Sequence, residues 1–197
     1  MSSPSGTPDR SNRDRQPKPP VRRTAPALTV WIYDSALGAA AGEVRLRNLK
    51  ERNALQVHDA ITVSWMPGSH QPRIGHLRHE TSAAAARGSV LGGLVGLILL
   101  ASEAGGGMAA LTPRLRDVGI DETFLEEVKA QLQPETSALL VLSGAADLDQ
   151  VRPVIERGLA RGDVVLMHAQ LTLDGPDILR TAVRDLQKRT DRTHPAP

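Results

Sequence analysis

From Leu28 to Tyr33 apolar and β-preferring residues alternate, Leu28, Val30 and Ile32 on one side and Thr29, Trp31 and Tyr33 on the other, which predicts a strand. Asp34-Ser35 ends it. Ser35 is placed to cap a helix from Ala36 to about Arg52, where Leu37, Ala40, Ala41, Val44 and Leu49 approximate a helical stripe among charges. Alternation returns from Ala60 to Met66, with Ile61, Val63 and Trp65 on one face. Pro67-Gly68 then makes a turn into a short strand around Arg73 to Arg78.

Farther along, Asp121 caps a helix to about Leu132, with Phe124, Leu125, Val128 and Leu132 inward and Pro134 beyond the end. Ala138 to Leu142 is a continuous apolar run between turn residues, hence a central strand. Asp147, followed three positions later by Gln150, resembles a capping box opening a helix to about Ala160, closed near Gly162. Val164 to Leu171 reads as the last strand. Pro176, at a first helical position, opens a last helix to about Lys188, with Ile178, Leu179, Val183 and Leu186 as its stripe.

The order is βαββ, an insertion at about residues 82–112, then αβαβα. Without the insertion the first six elements read β-α-β-β-α-β, the split βαβ or ferredoxin-like arrangement, an α+β fold whose helices cover one face of a mainly antiparallel sheet. A further αβα unit extends it. The domain is expected over residues 27–190, with a basic, proline-rich disordered tail at 1–26 and a second tail at 191–197.

The insertion is the least ordinary segment. Fifteen uncharged residues, Gly88 to Ser102, lie between Arg87 and Glu103; as a helix at about 1.5 Å per residue they reach about 22 Å. A bilayer core is about 30 Å thick and takes about 20 apolar residues, so a clean single span is not expected. At 100° per residue Ala85, Gly88, Ser89, Gly92, Gly93 and Gly96 share one side, while Val90, Leu91, Leu94, Leu97 and Ile98 share the other. Interior glycines cost a helix about 1 kcal/mol each against alanine, which makes Gly88, Gly92, Gly93 and Gly96 helix-packing residues of a glycine zipper. The bulky side also needs cover, from protein or lipid.

Gly105, Gly106 and Gly107 then turn the chain into a second short apolar arm, Met108 to Leu111, ahead of Pro113, Arg114 and Arg116. A helical hairpin follows. Arg87 at its start and Arg114 and Arg116 at its exit would place both ends on the cytoplasmic side of a bilayer. Glu103 near the tip opposes deep insertion, because an ionised carboxylate in hydrocarbon is expensive.

Charge is unevenly spread: residues 1–26 hold six basic and two acidic side chains, residues 184–197 four and two, and the stretch between is acidic although the chain is +2. The basic first 26 residues could touch acidic lipid or nucleic acid, but their composition is that of a solvated tail, without the apolar run of a signal peptide. With no cysteine there are no disulfides, thiolate nucleophiles or cysteine metal sites, which fits a reducing compartment.

Candidate chemistry resolves into ordinary surface. The glycines offer neither G-x-G-x-x-G nor G-x-x-x-x-G-K-[ST], and their spacing of four fits packing, so no phosphate site or cofactor is expected. His70, His76 and His79 lie close in sequence, but on a strand His76 and His79 point to opposite faces, and no metal site is predicted. His79, just before the zipper, is a candidate pH-sensitive hinge. Glu122, Glu126 and Glu127 with Lys129 read as a solvated helix face complementing the dipole. Trp31 and Tyr33 share a face as base-stacking aromatics of RNA binders do, yet PRIGHLRH supplies no aromatic partner, so packing under helices is expected and nucleic acid is not. No nucleophile motif appears, and no catalytic residue is assigned.

The stretches GSVLGGLVGLILL and DVGIDETFLEEVKAQLQPETSALLVL resemble a bacterial family known as domain of unknown function 1269. The similarity extends over about residues 27–190 and is most specific at Gly119-Ile120-Asp121 and Ser137-Ala138-Leu139. It implies a βαββ start, a glycine-rich apolar hairpin, a helix and a Ser-Ala-Leu strand; it implies membrane association and no known activity. The second hairpin arm is shorter here than in the family, cut by Glu103 and Pro113. The expected function is a non-enzymatic, membrane-associated protein at the cytoplasmic face, its zipper hairpin mediating bilayer association or self-assembly. A soluble cytoplasmic homo-oligomer built through the same zipper is the alternative.

Overall fold

Strands β1 (Ala27–Tyr33) and β4 (Ser137–Ala146) bury residues at nearly every position, not at alternate ones. A sheet built on such strands needs cover on both faces. The computed structural model of the chain describes residues 24–77, 89–96 and 107–193 and provides that cover.

In chain order the elements are β1, α1 (Gly38–Glu51), β2 (Leu55–Ser64), β3 (Arg73–His76), α2 (helical residues 90–96), α3 (Gly107–Asp117), α4 (Glu122–Gln131), β4, α5 (Leu148–Leu159), β5 (Val164–Gln170) and α6 (Gly175–Thr193). The strands make one antiparallel sheet in the order β3-β2-β4-β1-β5. The fold is thus mixed α and β, with β4 central as its continuous apolar run predicts. β5, expected in an appended unit, belongs to the same sheet and pairs with β1 along its whole length.

One face is covered by α2, α3, α4 and α6. Leu28, Val30, Ile32, Ile61, Val63, Leu140 and Leu142 from the strands meet Leu91, Leu94, Leu115, Val118, Leu125, Val128 and Leu179 there. The other face, carrying Tyr33, Leu139, Val141 and half-buried Trp31, lies under α1 and α5. Helices therefore stand on both faces, where the sequence pattern predicts one.

An irregularity in β2 makes this arrangement possible. Register against β4 shifts between Leu55 and Val57 and again between Val57 and Asp59. Because side chains alternate, such a shift moves odd positions from one face to the other. Leu55 and Val57 pack with the Tyr33 cluster, whereas Ile61 and Val63 pack with the Leu91 cluster.

Several ends differ from expectation. Ser35 does not cap α1; the Ser137 hydroxyl accepts from the Ala39 amide at 2.9 Å and donates to the Ser35 carbonyl at 2.6 Å, so the cap comes from β4 across the fold. Asp121 caps α4 as predicted, accepting from the Phe124 amide at 2.8 Å. At α5 Asp147 accepts from the Asp149 amide, and Gln150 reaches the Asp147 carboxylate instead of a backbone amide, so the reciprocal box is incomplete. Helix α3 continues through Pro113 to Asp117, past the predicted stop, because Leu115 on its last turn and Val118 just beyond it are anchored in the core. Helix α6 runs to Thr193, beyond the predicted end and into the expected tail, since no glycine or proline interrupts 177–193. Residues 1–23 and 194–197 of the expected tails lie outside the described residues.

The two most distinctive tripeptides are structural joints. Gly119 has φ +99°, and a Cβ there would run into the Gln170 carbonyl oxygen; Ile120 is buried and Asp121 is the cap. Ser137 ties α1 to the sheet, Ala138 faces one core and Leu139 the other. Gly119→Ala is expected to lower unfolding free energy by about 1–3 kcal/mol through backbone strain, read as a fall in the urea midpoint with unchanged slope. Asp121→Ala should cost about 1 kcal/mol in the same assay.

Candidate functional site

Helix α2 is attached to the sheet through Asp59. Its carboxylate accepts from the Leu91 amide at 2.9 Å and from the Ser89 hydroxyl at 2.7 Å, and Ser89 in turn accepts from the Gly92 amide at 3.0 Å. The β2 register shift just before Asp59 places it on the face that α2 covers. An anionic acceptor at the positive end of a helix fixes both its position and its rotation.

With that rotation Val90, Leu91, Leu94 and Val95 are 8, 0, 1 and 0 % exposed, packed into the protein's own core. The described part of the predicted bulky side, Val90, Leu91 and Leu94, is thus covered by protein, while Leu97 and Ile98 lie outside the described residues. Gly92, Gly93 and Gly96 lie on the half-exposed side, and a Cβ at Gly96 would meet nothing among the described residues within 4 Å. Gly88, Gly105 and Gly106 lie outside the described residues, as does His79; Gly107 opens α3. No helix among the described residues is long and apolar enough to cross a membrane.

A close-packed glycine pair does occur, on a different helix. Gly38 and Gly42, one turn apart on α1, lie directly on the ring of Tyr33; a methyl group at either position would collide with it. Leu139 supports the Gly42 contact from below, and Gly158 on α5 makes the matching approach to Trp31. The Tyr33 and Trp31 rings thus pack under helices, as their shared strand face predicts. The run Gly-Ala-Ala-Ala-Gly at 38–42 was the available signal for this pair.

Between α1, α5 and the sheet is a cavity of about 240 Å³. Its walls are chiefly Trp31, Leu46, Leu49, Leu139, Val141 and Val151, and Arg45 and Tyr33 also line it. Tyr33 is only 3 % exposed, and neither its hydroxyl nor Arg45 Nη1 completes a hydrogen bond. A buried polar atom without a partner costs about 1–3 kcal/mol. Burial pushes the Tyr33 pKa up, and the charge of the neighbouring Arg45, with the approach of its side chain to the hydroxyl, opposes the rise. Thr29 Oγ1 and His168 Nδ1 lie 3.2 Å apart on the same face, and the Ser143 hydroxyl donates to the Ala27 carbonyl.

The remaining sequence candidates are dispersed. His70 is exposed, and Glu122, Glu126, Glu127 and Lys129 line the outer side of α4. Among the described residues no three His, Asp or Glu side chains are placed to hold a metal ion.

Two outcomes follow from this geometry. Asp59→Ala should cost about 1–2 kcal/mol and selectively raise amide exchange at Leu91 and Gly92 relative to β4, measured by hydrogen exchange. Burial lowers the His168 pKa below 6.5, and that of His58 falls chiefly for the same reason, helped by the charge of Arg180. The unfolded chain then binds protons more readily, so these groups' contribution is complete above 6.5 and is lost as pH falls through that value toward their folded pKa. Urea melts from pH 7.5 to 5 should show that decline, and His58→Gln with His168→Gln should flatten it.

No curated protein and no solved structure matches the chain. The family described as "Protein of unknown function (DUF1269)" matches residues 85–183, half of the chain, from just before α2 into α6. That interval holds Gly119-Ile120-Asp121 and Ser137-Ala138-Leu139, the joints that cap α4 and α1. The chain belongs to the DUF1269 family.

Proposed function

We propose that this is a non-enzymatic assembly protein in which the glycine side of α2 docks against the same side of a second copy. The observation that carries this reading is the division of α2: Val90, Leu91, Leu94 and Val95 in the protein's own core, and Gly96 outward with nothing among the described residues within 4 Å of where a Cβ would stand. Glycines that cost a helix about 1 kcal/mol each are compensated when another backbone approaches closely. A surface that pairs with itself closes as a two-fold dimer. In this reading the glycines form a zipper, and β1, β2, β4 and β5 with α1 and α5 form the ferredoxin-like core that presents it.

Association with the cytoplasmic face of a membrane is the second reading. It is favoured by the uncharged run 88–102, bounded by Arg87 and followed by Arg114 and Arg116. Against it, Val90, Leu91, Leu94 and Val95 would have to leave the core to meet lipid.

Sedimentation of the full chain after alkaline carbonate washing of cell membranes separates the two. The assembly reading expects a soluble dimer or larger species. Gly92→Leu and Gly96→Leu should weaken it at least about tenfold, equivalent to about 1.4 kcal/mol, with circular dichroism unchanged. Carbonate-resistant recovery with membranes would favour the second reading, and a soluble wild-type monomer would reject both.

A further inference from the structure

We propose that the cavity between α1, α5 and the sheet binds a small monocarboxylic acid with an apolar tail, its carboxylate held by Arg45 and the Tyr33 hydroxyl. This site lies on the sheet face away from α2, so it stands or falls independently of the assembly reading.

Three buried side-chain atoms among the described residues have no hydrogen-bond partner: the Tyr33 hydroxyl, Arg45 Nη1 and Asp163 Oδ1. The last faces Arg161 Nε at 3.6 Å; neither residue lines the cavity, and their opposite charges act against each other at Tyr33. The other two do, and Tyr33 is buried to within 3 %. Elsewhere on the wall Thr29 and His168 lie within hydrogen-bond distance of each other and Ser143 is bonded to Ala27. Unused donors therefore converge where Tyr33 meets Arg45.

Donors without acceptors call for an oxygen ligand, and charge decides which. Arg45 is the only Lys, Arg, Asp or Glu among the lining residues, so an anion is favoured and a cation is repelled. One guanidinium and one phenol match a single carboxylate, which guanidinium groups bind in bidentate fashion. Neither adjoining helix N-terminus adds to the charge, since α1 is tied to Ser137 and α5 is capped by Asp147.

The rest of the cavity dictates the tail. Beyond Arg45 the walls continue along α1 and β4 to Leu49, Leu55, Ala146 and Val151, all apolar. A volume of about 240 Å³ lies just below the roughly 300–1,000 Å³ of common small-ligand pockets, which suits a short chain or single ring.

Trp31 lines the cavity and is one of two tryptophans, so Trp65→Phe leaves it as the sole reporter. Octanoate, 1-octanol and octylamine share a tail and differ in charge. Titrated into this otherwise full-length protein at pH 7.5, octanoate should shift Trp31 emission saturably and bind at least tenfold tighter than octanol, with octylamine weaker still. Arg45→Met should bring octanoate down to the octanol level and leave octanol unchanged, Arg45→Lys should retain part of the preference, and Tyr33→Phe should lose several-fold. Calorimetry on the unsubstituted chain repeats the acid–alcohol comparison without relying on any variant. Absence of saturable octanoate binding, equal affinity for acid and alcohol, or a folded Arg45→Met that keeps the preference would overturn the proposal.

Discussion

A sheet apolar on both faces can exist in water only if two separate layers cover it, and that requirement organises this molecule. Strand β4, flanked on both sides and buried almost throughout, cannot be half of an open sheet. The chain meets the requirement unequally: α2, α3, α4 and α6 share one face, while α1 and α5 share the other. The latter face, spanned by two helices, retains a cavity whose floor is β1 and β4.

Side chains that join elements far apart in sequence hold the layers in place. Ser137 caps a helix 98 residues earlier in the chain, and Asp59 orients α2 from a strand 30 residues before it. Each satisfies backbone amides that a helix start cannot satisfy internally. Surface ion pairs add little by comparison: Arg114 and Asp185 meet at 3.1 Å between α3 and α6, but both are close to half exposed, where such pairs are weak.

What the sequence makes legible follows from range. The faces of β1, the central position of β4 and the Asp121 cap rest on neighbours within a few residues, and each is found where its local pattern puts it. The β2 shift before Asp59 leaves no comparable trace, because an extra residue in a strand changes no composition; its effect shows only when Val57 and Ile61 are seen on opposite faces. Ser35 was the nearest candidate cap and Ser137 the actual one, a choice that three-dimensional proximity makes. The glycine spacing of four was legible twice, at 38–42 and at 88–96. Close packing is seen at the quieter pair, which sits in a weakly amphipathic helix and gains its meaning from Tyr33.

Alternation along β1 has a further consequence. Leu28, Val30 and Ile32 support the α2 layer, while Thr29, Trp31 and Tyr33 floor the cavity, so two chemically unlike surfaces are interleaved residue by residue in one strand. Substitutions at even and odd positions act on opposite sides of one backbone. Either surface can diverge, or be redesigned, while the other is kept; only a slip of register would exchange them together.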